Sequence, residues 1–190
     1  QGAAMSVGMA AAERHLRESF GSHLQNHRTY CIVGDGCIQE DVTLGAASLA
    51  GHWGLDQLIW YYDRNRIQIS GEISRATSDD ETKIFEGFGW NVLHVDGHDL
   101  DAIRQSIKSA QANKGKPTLI IGNTTSAKGA HSMEGSHKTH GAPLPAEERR
   151  QTKAALELPE DEDFYCPESA INHYRRRFEE LTNTAGLWRD

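Results

Sequence analysis

The chain has few cysteines and no long hydrophobic run. Its 190 residues include three cysteines, an odd number whose spacing matches no zinc-binding pattern. A chain of this length needs no disulfides to fold, and a reducing, cytosolic location is expected. No apolar stretch approaches the roughly 18–20 residues that span a bilayer, and no signal peptide is visible. We therefore expect no membrane partner.

A basic surface is also missing. The formal net charge is −7, and the densest basic run, Arg175–Arg177, is followed by Glu179 and Glu180. This run is typical of a solvated helix face, so no nucleic-acid partner is expected. Hydrophobic residues make up 37% and charged residues 25% of the chain, as in folded globular domains. The first residue is Gln1 rather than Met, and we expect that a longer protein continues upstream.

Strand-like and helix-like segments alternate along the first two thirds of the chain. Residues 2–20 predict a helix rich in small side chains, and a second such helix follows over 40–55. Short apolar runs predict strands at 28–36, 57–63, 90–97 and 117–125, and helices are predicted at 78–89 and 99–115. The last helix should bury Leu100, Ile103, Ile107 and Ala110. This order predicts an α/β fold, a parallel sheet with helices on both faces.

The regular alternation stops after Thr125. A long irregular stretch with three histidines follows, and loops of this length in a compact domain are usually functional. Two peripheral helices are predicted at 145–158 and 167–181. We therefore divide the chain into a main domain, residues 1–142, and peripheral helices, residues 143–190, which would lead to a further domain.

The sequence Gly34-Asp35-Gly36 ends the first predicted strand. Ligands of parallel sheets bind beyond the carboxyl ends of the strands, and glycines permit unusual backbone angles and close approach of a ligand. A helix N-terminus that follows favours phosphate, which a lone carboxylate would repel. A divalent cation between them, Mg²⁺ or Ca²⁺, would resolve that conflict. The alternative is a simple turn, because Gly-Asp-Gly is also common in hairpins.

The next strand supplies further oxygen ligands. Asn65 follows that strand, and 28 residues separate it from Gly36, enough for one helix and one strand. The two loops should therefore lie side by side. The side-chain carbonyl of Asn65 and the backbone carbonyl of Ile67 could then join Asp35 around the cation.

Five motifs, which occur in the same order as in a known family, support the hypothesis of a cation and phosphate site. The chain resembles the pyrophosphate-binding domain of the transketolase family, which uses thiamine diphosphate, in the segments GDGCIQE, SLAG, LIWYYDRNRIQISG, FEGFGWNVLHVDGHD and SHKTHGAPL. The resemblance runs from Gln1 to about Arg177. It implies transfer of a two-carbon ketol unit from a ketose phosphate to an aldose phosphate in the pentose phosphate pathway. It also implies a homodimer, or a complementary chain that carries the pyrimidine-binding domain.

The resemblance implies a role for each matching residue. The metal ligands would be Asp35, Asn65 and the Ile67 carbonyl. Gly36 would pack against the diphosphate, and Ile69 would lie near the thiazolium ring. Two catalytic groups are implied as well.

The first catalytic group is His140, which would touch the diphosphate and the substrate side of the cleft. Its position in a glycine-rich loop also suits a proton carrier near neutral pH. The second is Glu40, which would approach a glutamate of the partner subunit. Two neighbouring carboxyl groups can share a proton, which suits relaying it toward the cofactor.

Some positions depart from the family pattern. Asp41 stands where the family usually has glycine, and Gly45 stands where it often has another interface glutamate. Dihydroxyacetone synthase and deoxyxylulose-phosphate synthase, which also use thiamine diphosphate, are alternatives, and GDGC with HGAPL favours transketolase over the latter. A different alternative is a non-catalytic half of a split enzyme that acts as an interaction module.

Overall fold

The computed structural model describes residues 1–189. Four strands and five helices make up the main body in chain order, joined by one small hairpin, and two more helices follow. They are α1 (Gly2–Phe20), β1 (Thr29–Gly34), α2 (Asp35–Gln39), α3 (Asp41–His52), β2 (Leu58–Arg64), β3 (Ile67–Gln68), β4 (Gly71–Glu72), α4 (Glu81–Gly87), β5 (Asn91–Asp96), α5 (Leu100–Ala112), β6 (Thr118–Asn123), α6 (Ala146–Ala155) and α7 (Glu168–Arg189).

The four long strands form one parallel sheet in the order β1-β2-β6-β5. All four strands predicted from apolar runs are present, and helices pack on both faces, so the predicted α/β fold is confirmed. In the register of β1 and β2, Val33 lies opposite Tyr62 and Gly34 lies opposite Asp63. The carboxyl ends of these two strands are therefore level with each other.

The first face of the sheet carries the main core. The small side chains of α1 allow this helix to lie close to the sheet, where Ala3, Val7 and Ala10 are buried. Two buried indoles find hydrogen-bond acceptors there: Trp60 Nε1 donates to Ser6 Oγ at 2.8 Å, and Trp90 Nε1 donates to the Ala47 carbonyl at 2.8 Å. Each polar atom is thus satisfied inside an apolar cluster.

The second face is covered by α5. Its Ala110 is buried against Ile59 and Ile120 of the sheet. Leu100, predicted to be buried on this helix, is instead 68% exposed, because it begins the helix outside this cluster. On the same face Ile32 of β1 is 78% exposed, so α5 leaves that edge strand open.

Two local features differ from the predicted elements. The segment after β2, predicted as a loop, contains the short antiparallel hairpin β3–β4, in which Ile67 lies opposite Glu72. The helix predicted over 40–55 is preceded by α2, and the two are separated at Glu40, which has an extended backbone (φ −71°, ψ 129°). Both features adjoin the predicted site.

The chain divides into two compact units. The first comprises Gln1–Lys128 and Met133–Pro143; the second comprises Gly129–Ser132 and the residues from Leu144 onward. In the second unit, the buried Glu148 carboxylate accepts hydrogen bonds from the backbone N–H and the hydroxyl of Ser132, at 2.6 and 2.7 Å. Within residues 1–189, none of the helices combines the length and apolar character needed to cross a lipid bilayer.

Candidate functional site

The candidate site lies where β1 and β2 end side by side. Asp35 follows the last residue of β1 and is the first residue of the five-residue helix α2. Asn65 follows the last residue of β2. Because the two strands are parallel neighbours in register, these residues come together although 29 residues separate them in the chain.

The Asp35 carboxylate is buried, with 3% of the residue exposed. Its Oδ1 accepts a hydrogen bond from the Tyr62 hydroxyl at 2.7 Å. Its Oδ2 accepts two, from the backbone N–H of Asn65 at 3.1 Å and that of Arg66 at 2.8 Å. All three donors come from β2 or from the turn that follows it, so the second strand fixes the orientation of this carboxylate.

Within residues 1–189, no cationic side chain compensates this buried charge: no side-chain nitrogen of Lys, Arg or His lies within 4 Å of the Asp35 carboxylate. A buried charge is costly unless it is paired or binds a metal. A carboxylate has about four lone-pair sites, and Asp35 uses three, so one site on Oδ1 remains. The remaining lone pair of Asp35 Oδ1 could bind a divalent cation.

The ligand set of such a cation would be oxygen-based. The described residues contain no group of three or more His, Cys, Asp and Glu side chains that could hold a metal. One carboxylate, one amide oxygen and a backbone carbonyl are instead the ligands that Mg²⁺ and Ca²⁺ accept. The residues present therefore fit a hard cation that receives its remaining ligands from another molecule.

The turn after β2 is held by its own side chain. Asn65 Oδ1 accepts a hydrogen bond from the Ile67 N–H at 3.0 Å, a local turn of the kind asparagine favours. Arg66 between them has φ +62°, a left-handed conformation that is uncommon outside glycine. The Ile67 side chain is 8% exposed and anchors the turn. The side-chain oxygen of Asn65 is thus held in the turn directly after β2, while the Asn65 backbone N–H donates to Asp35.

Tyr62 was not among the residues predicted from the sequence. Its side chain is fully buried, and its hydroxyl bonds to Asp35. Burial raises the pKa of the phenol well above its ordinary value, and the hydrogen bond to Asp35 and the charges of Asp35 and Glu81 raise it further, against a smaller effect of Arg64. A buried tyrosine hydroxyl needs a partner, and this was the signal in the sequence that could have identified it.

The glycines beside Asp35 do not have unusual backbone angles. Gly34 is extended (φ −103°, ψ −179°), and Gly36 is not among the positive-φ glycines, so that part of the prediction is wrong. A Cβ atom built on Gly36 would meet nothing within 4 Å. Gly36 therefore leaves open space beside Asp35, which a close ligand could use.

The remaining predicted site residues lie on exposed surface. Ile69, in the tip of the β3–β4 hairpin, is 79% exposed. Glu40 is exposed between α2 and α3, and His140 is exposed directly after the short 3₁₀ helix His137–Thr139. Within residues 1–189, none of these three side chains forms a hydrogen bond or ion pair with Asp35 or Asn65. The structure thus brings together Asp35 and Asn65. It leaves Ile69, Glu40 and His140 exposed to solvent.

The fold and the site define an α/β domain with a buried carboxylate, held by three hydrogen bonds, at the ends of two neighbouring parallel strands. Residues 1–190 match the family model described as transketolase, thiamine diphosphate binding domain. The chain is 43% identical over 184 residues to the transketolase of Geobacillus stearothermophilus, covering 95% of this chain and 28% of that protein.

Solved structures agree with the sequence match. The transketolase structure from Leishmania mexicana has a TM-score of 0.94 and 34% identity and covers 99% of this chain. The structure from Campylobacter jejuni has a TM-score of 0.89 and 39% identity and covers 92% of this chain. The chain spans 29% and 27% of these two proteins. The chain belongs to the transketolase family, in its thiamine diphosphate binding domain, and these matches do not favour the alternatives.

Proposed function

We propose that the chain is the part of a transketolase that binds the diphosphate of thiamine diphosphate. The whole enzyme would transfer a two-carbon ketol unit from a ketose phosphate to an aldose phosphate. The observation that carries this proposal is the buried Asp35 carboxylate, which has three hydrogen-bond donors and one unused lone pair and, among residues 1–189, no cationic side chain within 4 Å. Membership of the family supplies the chemical identity of the ligand.

In this proposal a divalent cation, Mg²⁺ or Ca²⁺, joins the protein to the diphosphate. Asp35 Oδ1, the Asn65 amide oxygen and the Ile67 carbonyl would hold it, and the diphosphate would supply further oxygens. Thiamine diphosphate, when bound, supplies the electron sink that lets a carbon–carbon bond next to a carbonyl break and form. The chain supplies placement: a carboxylate in fixed orientation, and open space at Gly36 where the diphosphate can approach the backbone.

The exposed residues have proposed roles at the edge of this site. Ile69 would offer its apolar side chain to the thiazolium ring. His140 would hold or move a proton at the substrate side, since an imidazole titrates near neutral pH. Glu40 would face a carboxyl group of a partner subunit and share a proton with it. Their exposure leaves each of them free to contact a ligand or a second subunit.

The other parts of the enzyme are also proposals. The relatives are about three to four times as long as this chain, which spans 28% of the Geobacillus stearothermophilus protein. We propose that a pyrimidine-binding domain, from the same protein in a homodimer or from a complementary chain, completes the site. The enzyme would then act on sugar phosphates of the pentose phosphate pathway in the cytoplasm.

The test is calorimetric titration of thiamine diphosphate with Mg²⁺ present, in the complete natural protein. Asp35→Ala should abolish metal-dependent binding, because it removes the one charged ligand that the protein offers the cation in this proposal. Asp41→Ala removes an exposed carboxylate six residues further along and serves as the matched control. EDTA should weaken binding to wild type and leave any residual binding to Asp35→Ala unchanged. Wild-type affinity in Asp35→Ala would overturn the proposal.

A further inference from the structure

The Tyr62 hydroxyl donates a hydrogen bond to Asp35, and it is not one of the proposed ligands of the cation. Tyr62 lies in β2, opposite Val33 of β1. Val33 precedes Asp35 by two residues. Its ring is buried in the core of the first sheet face, in the same cluster as Trp60 and Phe85. The hydroxyl is therefore held by packing at a fixed point, 2.7 Å from Asp35 Oδ1.

The three hydrogen bonds divide the carboxylate into two unlike oxygens. Oδ2 accepts two backbone N–H bonds, from Asn65 and Arg66, which occupy both of its lone-pair sites. Oδ1 accepts only the Tyr62 bond and keeps one site. The backbone bonds hold Oδ2 in place, and the Tyr62 bond determines in which direction the last site on Oδ1 points.

The phenol is placed to donate rather than to bind the cation itself. Its ring is buried, and its hydroxyl donates a hydrogen bond to Asp35 Oδ1 at 2.7 Å. A buried tyrosine hydroxyl needs a hydrogen-bond partner, and Asp35 Oδ1 is the partner that the structure describes.

We propose that Tyr62 is a positioning residue that aims the free lone pair of Asp35 at the cation. This inference rests on the proposed function, because it presupposes that Asp35 binds a divalent cation. It concerns a fully buried residue of the sheet core, which acts through Asp35. Hydrogen bonds that orient a metal ligand in this way typically change metal affinity by about 10- to 100-fold.

The choice of cation distinguishes positioning from simple structural support. Mg²⁺ demands near-ideal octahedral geometry, whereas Ca²⁺ accepts irregular geometry and variable ligand number. A carboxylate that has lost its orientation should therefore penalise Mg²⁺ more than Ca²⁺. Tyr62→Phe keeps the ring and removes only the hydroxyl. We expect it to weaken Mg²⁺ affinity by about 10-fold and Ca²⁺ affinity by a smaller factor.

The experiment titrates Mg²⁺ and, separately, Ca²⁺ into the complete natural protein with thiamine diphosphate present, followed by calorimetry. Tyr61→Phe is the matched control, because it makes the same change on the same strand, but Tyr61 packs on the opposite sheet face. Its ratio of Mg²⁺ to Ca²⁺ affinity should equal that of wild type. Unchanged affinities in Tyr62→Phe, or equal losses for both cations, would overturn the positioning role.

Failure of the inference is separable from failure of the proposed function. If wild type shows no metal-dependent cofactor binding, the proposed function fails, and the inference fails with it. If wild type binds, Asp35→Ala does not, and Tyr62→Phe keeps the wild-type cation ratio, only the inference fails.

A second measurement covers the case in which Tyr62→Phe does not fold. Incorporation of 3-fluorotyrosine at position 62 retains the hydroxyl and places a fluorine beside it. Mg²⁺ draws charge from the carboxylate that accepts this hydroxyl, so the ¹⁹F resonance should shift when Mg²⁺ and thiamine diphosphate are added. The Asp35→Ala protein should show no such shift. A resonance that stays in place in the wild-type background would refute the coupling between Tyr62 and the cation.

Discussion

Gly51 offers a test of how α3 packs in the core. A Cβ atom at this position would overlap the carbonyl oxygen of Phe88 and lie 2.8 Å from its carbonyl carbon and 3.3 Å from Trp90 Cδ1. Two of these three atoms belong to the backbone, so they cannot move aside as a side chain would. Gly51 therefore marks a contact where α3 and the residue that follows α4 approach each other directly.

The size of the effect follows from two opposing terms. Overpacking typically costs about 1–3 kcal/mol, and a backbone obstacle places Gly51→Ala near 3 kcal/mol. Alanine is favoured over glycine in a helix by roughly 0.5–1 kcal/mol, which offsets part of this cost. We expect Gly51→Ala to lower the free energy of unfolding by about 2 kcal/mol. Gly45→Ala, in the same helix but with nothing within 4 Å, should raise it by about 0.5–1 kcal/mol.

The assay is urea denaturation at constant pH, followed by tryptophan fluorescence, with wild type, Gly51→Ala and Gly45→Ala measured side by side. The expected result is a lower midpoint for Gly51→Ala and a slightly higher midpoint for Gly45→Ala at a similar slope. The same substitution in one helix should thus have opposite signs. A Gly51→Ala midpoint equal to or above that of wild type would refute the close approach between Gly51 and Phe88.

Two further predictions concern a helix end and a buried phenol. Asp99 caps α5 by accepting hydrogen bonds from the Asp101 and Ala102 N–H groups, so Asp99→Ala should lower the free energy of unfolding by about 1 kcal/mol, while Asp99→Asn should retain most of the cap. Equal urea midpoints for wild type and Asp99→Ala would contradict this. Because the folded state raises the pKa of Tyr62, it holds this proton more tightly than the unfolded chain does. Wild-type stability should therefore fall as the pH rises above about 10, by up to about 1.4 kcal/mol per pH unit from this group. Tyr62→Phe should lack that part of the slope in urea midpoints measured from pH 9 to 11, and an identical slope would count against it.

The sheet was predictable because each of its four strands contains a short apolar segment. Burial on both faces of a parallel sheet produces continuous apolar runs, and the buried residues Leu119–Ile121 of β6 are an example. The hairpin β3–β4 was missed because its strands are two residues long, too short to show any periodicity. Leu100 was placed inside by helical periodicity, which states which residues share a face but not how far the sheet extends beneath it.

The sequence predicted the oxygen ligands of the candidate site, but it did not predict the groups that donate hydrogen bonds to Asp35. Asp35 and Asn65 could be found because their residue types and their spacing suggest oxygen ligands at two strand ends. In the sequence, Tyr62 is one more aromatic residue in a buried strand, and the other two donors to Asp35 are backbone N–H groups. Backbone donors carry no mark in the sequence. Only the register of β1 against β2 shows that they converge on one carboxylate.

The dependence of Asp35 on the neighbouring strand bears on protein engineering. Grafting only the segment from Gly34 to Glu40 onto another scaffold would transplant an acid without the three donors that hold it. A graft from Thr29 to Gln68 would carry both strands, their pairing register and the three hydrogen-bond donors to Asp35. A slip of one residue between these strands would turn Tyr62 to the opposite side of the sheet, and its hydrogen bond to Asp35 would be lost. The smallest portable unit of this site is therefore a strand pair, not a loop.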